Sequence, residues 1–133
     1  MAVVADTHAI VWFLSKPSQL SQTAHNLLNQ TLSENKTVYV SAISMVEIQY
    51  LLERARIPPG FLEDMRELLQ DSSSGLVLAP LNLNIVEAIG SINRNTVPEM
   101  PDRIIAATAL HLGLPLIIKD HKIAMETAIT TIW

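Results

Sequence analysis

The chain has 133 residues, 49% hydrophobic and 17% charged, a balance that excludes intrinsic disorder and suits one globular unit with a sizeable core. Nine Lys+Arg stand against 13 Asp+Glu, a net charge of −4 that argues against nucleic-acid binding by bulk charge, though not against a nuclease whose acidic pocket is offset by metal ions. The absence of Cys removes disulfides, thiolate metal sites and Cys nucleophiles.

Ala2–Ala5 is a short apolar run with two β-branched residues, and reads as a buried strand closed by Asp6. Thr7–Leu14 continues apolar and reads as a short helix, stopped by Pro17 and its polar neighbours. Ser21–Glu34 has Ala24, Leu27, Leu28 and Leu32 at helical spacing. Thr37–Val40 reads as a second strand. Ser41–Arg56 follows as a helix whose terminal Arg54 and Arg56 suit the negative end of its dipole, broken by Pro58-Pro59-Gly60.

Phe61–Gln70 repeats the amphipathic pattern, and Leu76–Ala79 reads as a third strand stopped by Pro80. Asn84–Asn93 reads as a helix and Asn95–Pro101 as a loop. Asp102–Leu112 is apolar nearly all round and Ala-rich, as a helix buried on most sides would be, and ends at Gly113. Leu116–Ile118 reads as a fourth strand, 121–128 as a short helix, and Ile129–Trp133 as a last strand. Short apolar strands alternating with helices predict an α/β sandwich with a mainly parallel sheet of four or five strands, a single domain over residues 1–133.

Parallel α/β sheets place ligands at the carboxyl ends of their strands. Asp6 and Asp120 follow strands one and four, Asp102 opens the Ala-rich helix, and Glu47 lies early in the helix after strand two. Helix starts that follow parallel strands share one sheet edge with the strand ends. The four carboxylates are therefore expected in one crevice. Singly, each has a plainer account. Asp102 could be an N-cap, Glu47 could complete a capping box with Ser44, and Asp120 could sit in a solvated turn. Asp6, with no partner nearby in sequence, is harder to dismiss.

Hard oxygen ligands without thiols select Mg²⁺ or Mn²⁺, which can activate water for phosphodiester hydrolysis. Arg103, Lys119 and Lys122 adjoin the acids and could steer a phosphate backbone, or could be solvated surface charges. A haloacid-dehalogenase-type phosphatase would need an Asp where His8 stands. No phosphate-binding Gly-rich loop, nucleophile elbow or H-E-x-x-H helix is present.

Val4–Trp12, Val38–Ile48, Met100–Leu110 and Gly113–Asp120 together resemble the PIN-domain family, specifically its VapC-type ribonuclease toxins, with a terminal Trp133 adding to the likeness. The resemblance runs over essentially the whole chain and implies a PIN-like three-layer sandwich. It also implies an endoribonuclease dependent on Mg²⁺ or Mn²⁺, a toxin of a type II toxin–antitoxin pair, homodimerisation and neutralisation by a VapB-type antitoxin. Carried over by position, Asp6, Glu47, Asp102 and Asp120 are its metal-binding and catalytic quartet. Arg103 and Lys119 are expected to contact RNA, and Glu99, Thr7 and His8 form a second tier. Relatives often have Ser or Thr two residues before the fourth acid, where this chain has Ile118, so a hydroxyl that could orient Asp120 is missing. A non-catalytic PIN-like binding module, or a DNA-directed or structure-specific nuclease on the same scaffold, are the alternatives. The expected setting is the cytoplasm, with no membrane partner, since no run reaches the ~20 apolar residues of a membrane helix and Met1–Asp6 lacks the features of a secretory leader.

Overall fold

Strand β1 (Val3–Ala5) is the middle of a five-stranded sheet, and none of its three residues keeps exposed surface. That is why its sequence is a continuous apolar run rather than an alternating one. The structure, a computed structural model, describes residues 1–126 and 128–133. Beside β1 lie β2 (Val38–Ser41) and then β3 (Leu76–Ala79) on one side, with β4 (Leu116–Ile117) and β5 (Thr131–Ile132) on the other. Every pairing is parallel, with Ala5 opposite both Val40 and Ile117.

Alternating residues of β1 face opposite layers. Val3 and Ala5 join Ala9, Ile10, Leu28, Ile48, Phe61 and Met65 on one face. Val4 joins Leu116, Ile105, Ala106 and Ile85 on the other. Helices α1 (Thr7–Ser15), α2 (Gln22–Ser33) and α4 (Phe61–Gln70) bring side chains to the first cluster, and α5 (Leu83–Ile89) and α6 (Met100–Leu112) to the second. Helix α3 (Ala42–Glu53) serves both, through Ile48 and Ile43. The small α7 (His121–Ala124) adds Ile123. The result is the expected three-layer sandwich.

The boundaries that differ from expectation have local causes. Helix α3 stops at Glu53, short of Arg56, because Ala55 turns left-handed (φ 54°) and the amides of Ala55 and Arg56 return to the Leu52 and Leu51 carbonyls. Helix α5 ends at Ile89 rather than Asn93, since Gly90, Ser91 and Ile92 continue with tighter i→i−3 bonds. Helix α6 starts two residues before Asp102, with Pro101 in its first turn where a missing N–H costs nothing. The expected helix over 121–128 forms only at its start, and its residue 127 lies outside the described residues. Gly113 ends α6 at φ 64°, a conformation that favours glycine.

The chain moves outward from β1 to β2 and β3, then crosses to β4 and β5. The reversal lies between β1 and β4, and in open α/β sheets a crevice forms there, beyond the strand ends.

Candidate active site

Asp6 and Asp120 follow the two strands that flank this reversal, and α6, whose first turn carries Asp102, leads into β4. These three acids line one cleft together with His8, Trp12, Ile118 and Lys119. Glu47, one turn and a half into α3, lines an adjoining groove with Thr7, Ile43, Val46, Tyr50, Met100 and Pro101. His8 borders both.

Electrostatics tie the four together. The Asp6 carboxyl is pushed from its ordinary 3.8 up to about 7, chiefly by burial, with Asp102, Glu47 and Asp120 each adding repulsion. The Ala9 amide opposes this by donating to Asp6 Oδ1 at 2.8 Å. Part of Asp6 reaches solvent, but the carboxyl lies at the floor of the cleft where little water solvates it. Asp102 is also raised, first by burial, then by Asp120, Glu47 and Glu99, and is lowered only by Lys122.

The carboxylates gather without closing on a point. Among the described residues, no three His, Asp or Glu side chains stand close enough together to enclose an ion. Three of the four are held by bonds of their own. Asp6 caps α1 through Ala9, and Asp120 caps α7 by accepting from the Lys122 amide at 2.8 Å. Glu47 Oε1 accepts from the Thr7 hydroxyl at 2.5 Å, and Thr7 Oγ1 lies 2.9 Å from Ser44 Oγ. Since Thr7 has a single hydroxyl proton, Ser44 donates to Thr7 and Thr7 donates to Glu47. The donor set is hard oxygen carrying surplus negative charge, which fits a hard divalent cation that draws such ligands inward.

Several expectations need revising. Asp6 does have a near partner, the Ala9 amide, so it is both cap and cleft residue. Asp102 is not the N-cap of its helix; Glu99 holds that position, exposed and making no side-chain cap bond. Ser44 and Glu47 form no capping box, because Ser41 caps α3 and Ser44 lies inside the helix, fully buried. Arg103 does not present its guanidinium to the cleft as a phosphate contact. Nη1 donates to the Val97 carbonyl at 3.2 Å and Nη2 to the Ile89 carbonyl at 3.1 Å, bracing the α5–α6 connection. Lys119 is exposed at the cleft, its ammonium 5.9 Å from the Trp12 ring centroid. The missing hydroxyl at Ile118 leaves a buried apolar wall.

Trp12 and the Ser44–Thr7–Glu47 chain are site features to which no sequence motif points. The i, i+4 spacing of His8 and Trp12 was an available signal. The Thr7–Ser44 pairing was not, since it joins residues 37 apart.

Residues 3–125 match the PIN domain. The chain belongs to the PIN domain family. Among curated proteins it is 25% identical over 121 residues to ribonuclease VapC22 of Mycobacterium tuberculosis, covering 91% of this chain and 88% of that one. Among solved structures, this PIN chain is similar to a VapBC2 complex from Rickettsia felis bound to a promoter DNA fragment, with a TM-score of 0.75 and 17% identity over 99% and 98% of the two chains. FitAcB from Neisseria gonorrhoeae gives a TM-score of 0.63 and 22% identity over 100% and 97%. A toxin–antitoxin complex from Klebsiella pneumoniae gives 0.66 and 18% over 97% and 96%. At these identities the structural likeness speaks for the fold alone. No described helix is long and apolar enough to cross a membrane.

Proposed function

We propose that this PIN protein is a metal-dependent endoribonuclease, the toxin of a toxin–antitoxin pair, acting in the cytoplasm as one unit over its whole length. The observation that carries the reading is mutual: Asp6 and Asp102, from separate segments at the carboxyl end of a parallel sheet, are both raised, first by burial and then by the charges of the neighbouring acids. Perturbed carboxyls of this kind cluster at functional sites. Likeness to ribonuclease VapC22 supports RNA as the substrate, and likeness to VapBC and other toxin–antitoxin complexes supports a VapB-type antitoxin.

Asp6 and Asp102 would hold Mg²⁺ or Mn²⁺, with Glu47 and Asp120 completing the set. When bound, such an ion polarises a phosphoryl oxygen and lowers the pKa of water. The chain's own groups do the rest. Ser44 and Thr7 hold Glu47 Oε1 and so fix the aim of its carboxylate. Asp120, anchored at the α7 cap, positions the attacking water. Lys119 offers a cation at the open edge of the cleft for the RNA backbone. Exposed Val77, Leu78, Leu81, Leu83 and Val86, running from β3 into α5, support a homodimer or antitoxin contact.

The test is RNA cleavage by purified, antitoxin-free protein with Mn²⁺, and with EDTA as control. Cleavage that stops with EDTA and in Asp6→Asn and Asp102→Asn, both still folded, is expected. Full activity in both variants would overturn the assignment, and cleavage of DNA in preference to RNA would overturn the substrate.

A further inference from the structure

Helix α1 carries a cleft-lining face that the chemistry above does not use. His8 and Trp12 stand one turn apart with ring centroids 5.3 Å from each other at 49°. Trp133, from the far end of the sequence, meets Trp12 edge-on at 5.9 Å. The Lys119 ammonium lies 5.9 Å from the Trp12 centroid. His8, Trp12 and Lys119 line the same cleft as Asp6, Asp102 and Asp120. Packing explains part of this, because Trp12 and Trp133 lean on the core. It does not explain an exposed imidazole and an exposed ammonium gathered around an indole beside the acids.

We propose that His8, Trp12 and Lys119 form a stacking shelf for the nucleobase adjoining the phosphate that is cut, with Trp133 fixing the tilt of the Trp12 indole. The proposal rests on the ribonuclease reading. Its physical motive is repulsion: a protein of net charge −4, with three acids in its cleft and Glu47 in the adjoining groove, must hold a polyanion there. Base stacking supplies attraction that involves no net charge and tolerates any sequence, since every base has a π-face. A cation at a surface ring contributes less than a stacked base does. An entering base therefore displaces the Lys119 ammonium from the indole and frees it for the neighbouring phosphate.

The chain's two tryptophans are the two that meet here, so intrinsic Trp emission reports on the shelf. Wild-type protein in EDTA, where strands stay intact, is titrated with a short single-stranded oligoribonucleotide and with an equally long abasic strand. The base-bearing strand should quench emission and bind about five- to a hundredfold more tightly. His8→Ala, at an exposed position, should lose part of that preference while keeping the wild-type melting temperature. Trp12→Phe, which keeps a ring, should retain more of the preference than Trp12→Leu, read by a label on the strand. Equal affinity for both strands, or an unchanged preference in His8→Ala, overturns the shelf. Because the readout needs no metal, a protein that cuts RNA but ignores the bases keeps its nuclease reading and loses the shelf. Base-dependent quenching without cleavage does the reverse.

Discussion

Replacing Asp6 by Asn should make the protein inactive and more stable. The Asp6 carboxyl rises from 3.8 to about 7, by burial first and then by Asp102, Glu47 and Asp120. A raised acid holds its proton more tightly in the fold than in the unfolded chain. Its cost to folding is absent below about pH 4, grows as pH rises between 3.8 and about 7, and is complete above that. At ~1.4 kcal/mol per pH unit, the gap is worth on the order of 4 kcal/mol for a dry, rigid site. Part of Asp6 reaches solvent and its neighbours can relax, so on the order of 2 kcal/mol is expected. Asn caps helices as well as Asp does, and its oxygen can keep the 2.8 Å bond from Ala9. The substitution thus removes charge and leaves the local bond. Urea melts without divalent ions should show the variant ahead by about 2 kcal/mol at pH 8 and level at pH 4. Millimolar Mg²⁺ should narrow the gap by stabilising the wild type. A variant no more stable than wild type at pH 8, with a parallel pH curve, would refute an Asp6 charge held at the fold's expense.

Two further substitutions separate positioning from bracing. Thr7→Val removes the donor to Glu47 and should lower cleavage by about 10–100-fold; with Ser44 left unpaired it should also cost about 1–3 kcal/mol in a thermal melt. Activity equal to wild type would mean Glu47 needs no alignment by Thr7. Arg103→Ala frees the carbonyls of Val97 and Ile89 and should cost about 1–3 kcal/mol in urea melts. Its salt dependence of RNA binding should match wild type, whereas a slope reduced by about one would show that Arg103 contacts phosphate after all.

The strand–helix alternation was legible because burial on both faces writes itself as short apolar runs, and β3 and α4 fall at the expected residues. Asp6 and Asp120 were legible for the same reason, as acids closing apolar strands. Helix ends were not, because a left-handed Ala55 has no residue signature and Gly90 could equally have ended or continued a turn. The destination of Arg103 was hidden as well. Adjacency to Asp102 in sequence suggested a shared cleft, but neighbours on a helix point about 100° apart. Its guanidinium finds carbonyls six and fourteen residues back. The Ser44–Thr7–Glu47 chain and the Trp12–Trp133 contact join distant segments, which no local pattern encodes.

The cations beside Asp102 and Asp120 in sequence sharpen the charge argument. Arg103 turns its guanidinium to backbone carbonyls, and Lys119 sets its ammonium over Trp12. Lys122, the cation that lowers Asp102, leaves that carboxyl raised all the same. A cleft built only to be stable would spend these charges on Asp6 and Asp102, since breaking or omitting the partner of a desolvated carboxylate is costly. The chain has the cations within a few residues and directs two of them elsewhere. Leaving the carboxylates short of positive charge makes sense when a divalent ion supplies it. That is why proton and metal should compete for Asp6, and why Mg²⁺ should bring its pKa down toward the ordinary 3.8 and shrink the burden its charge places on the fold.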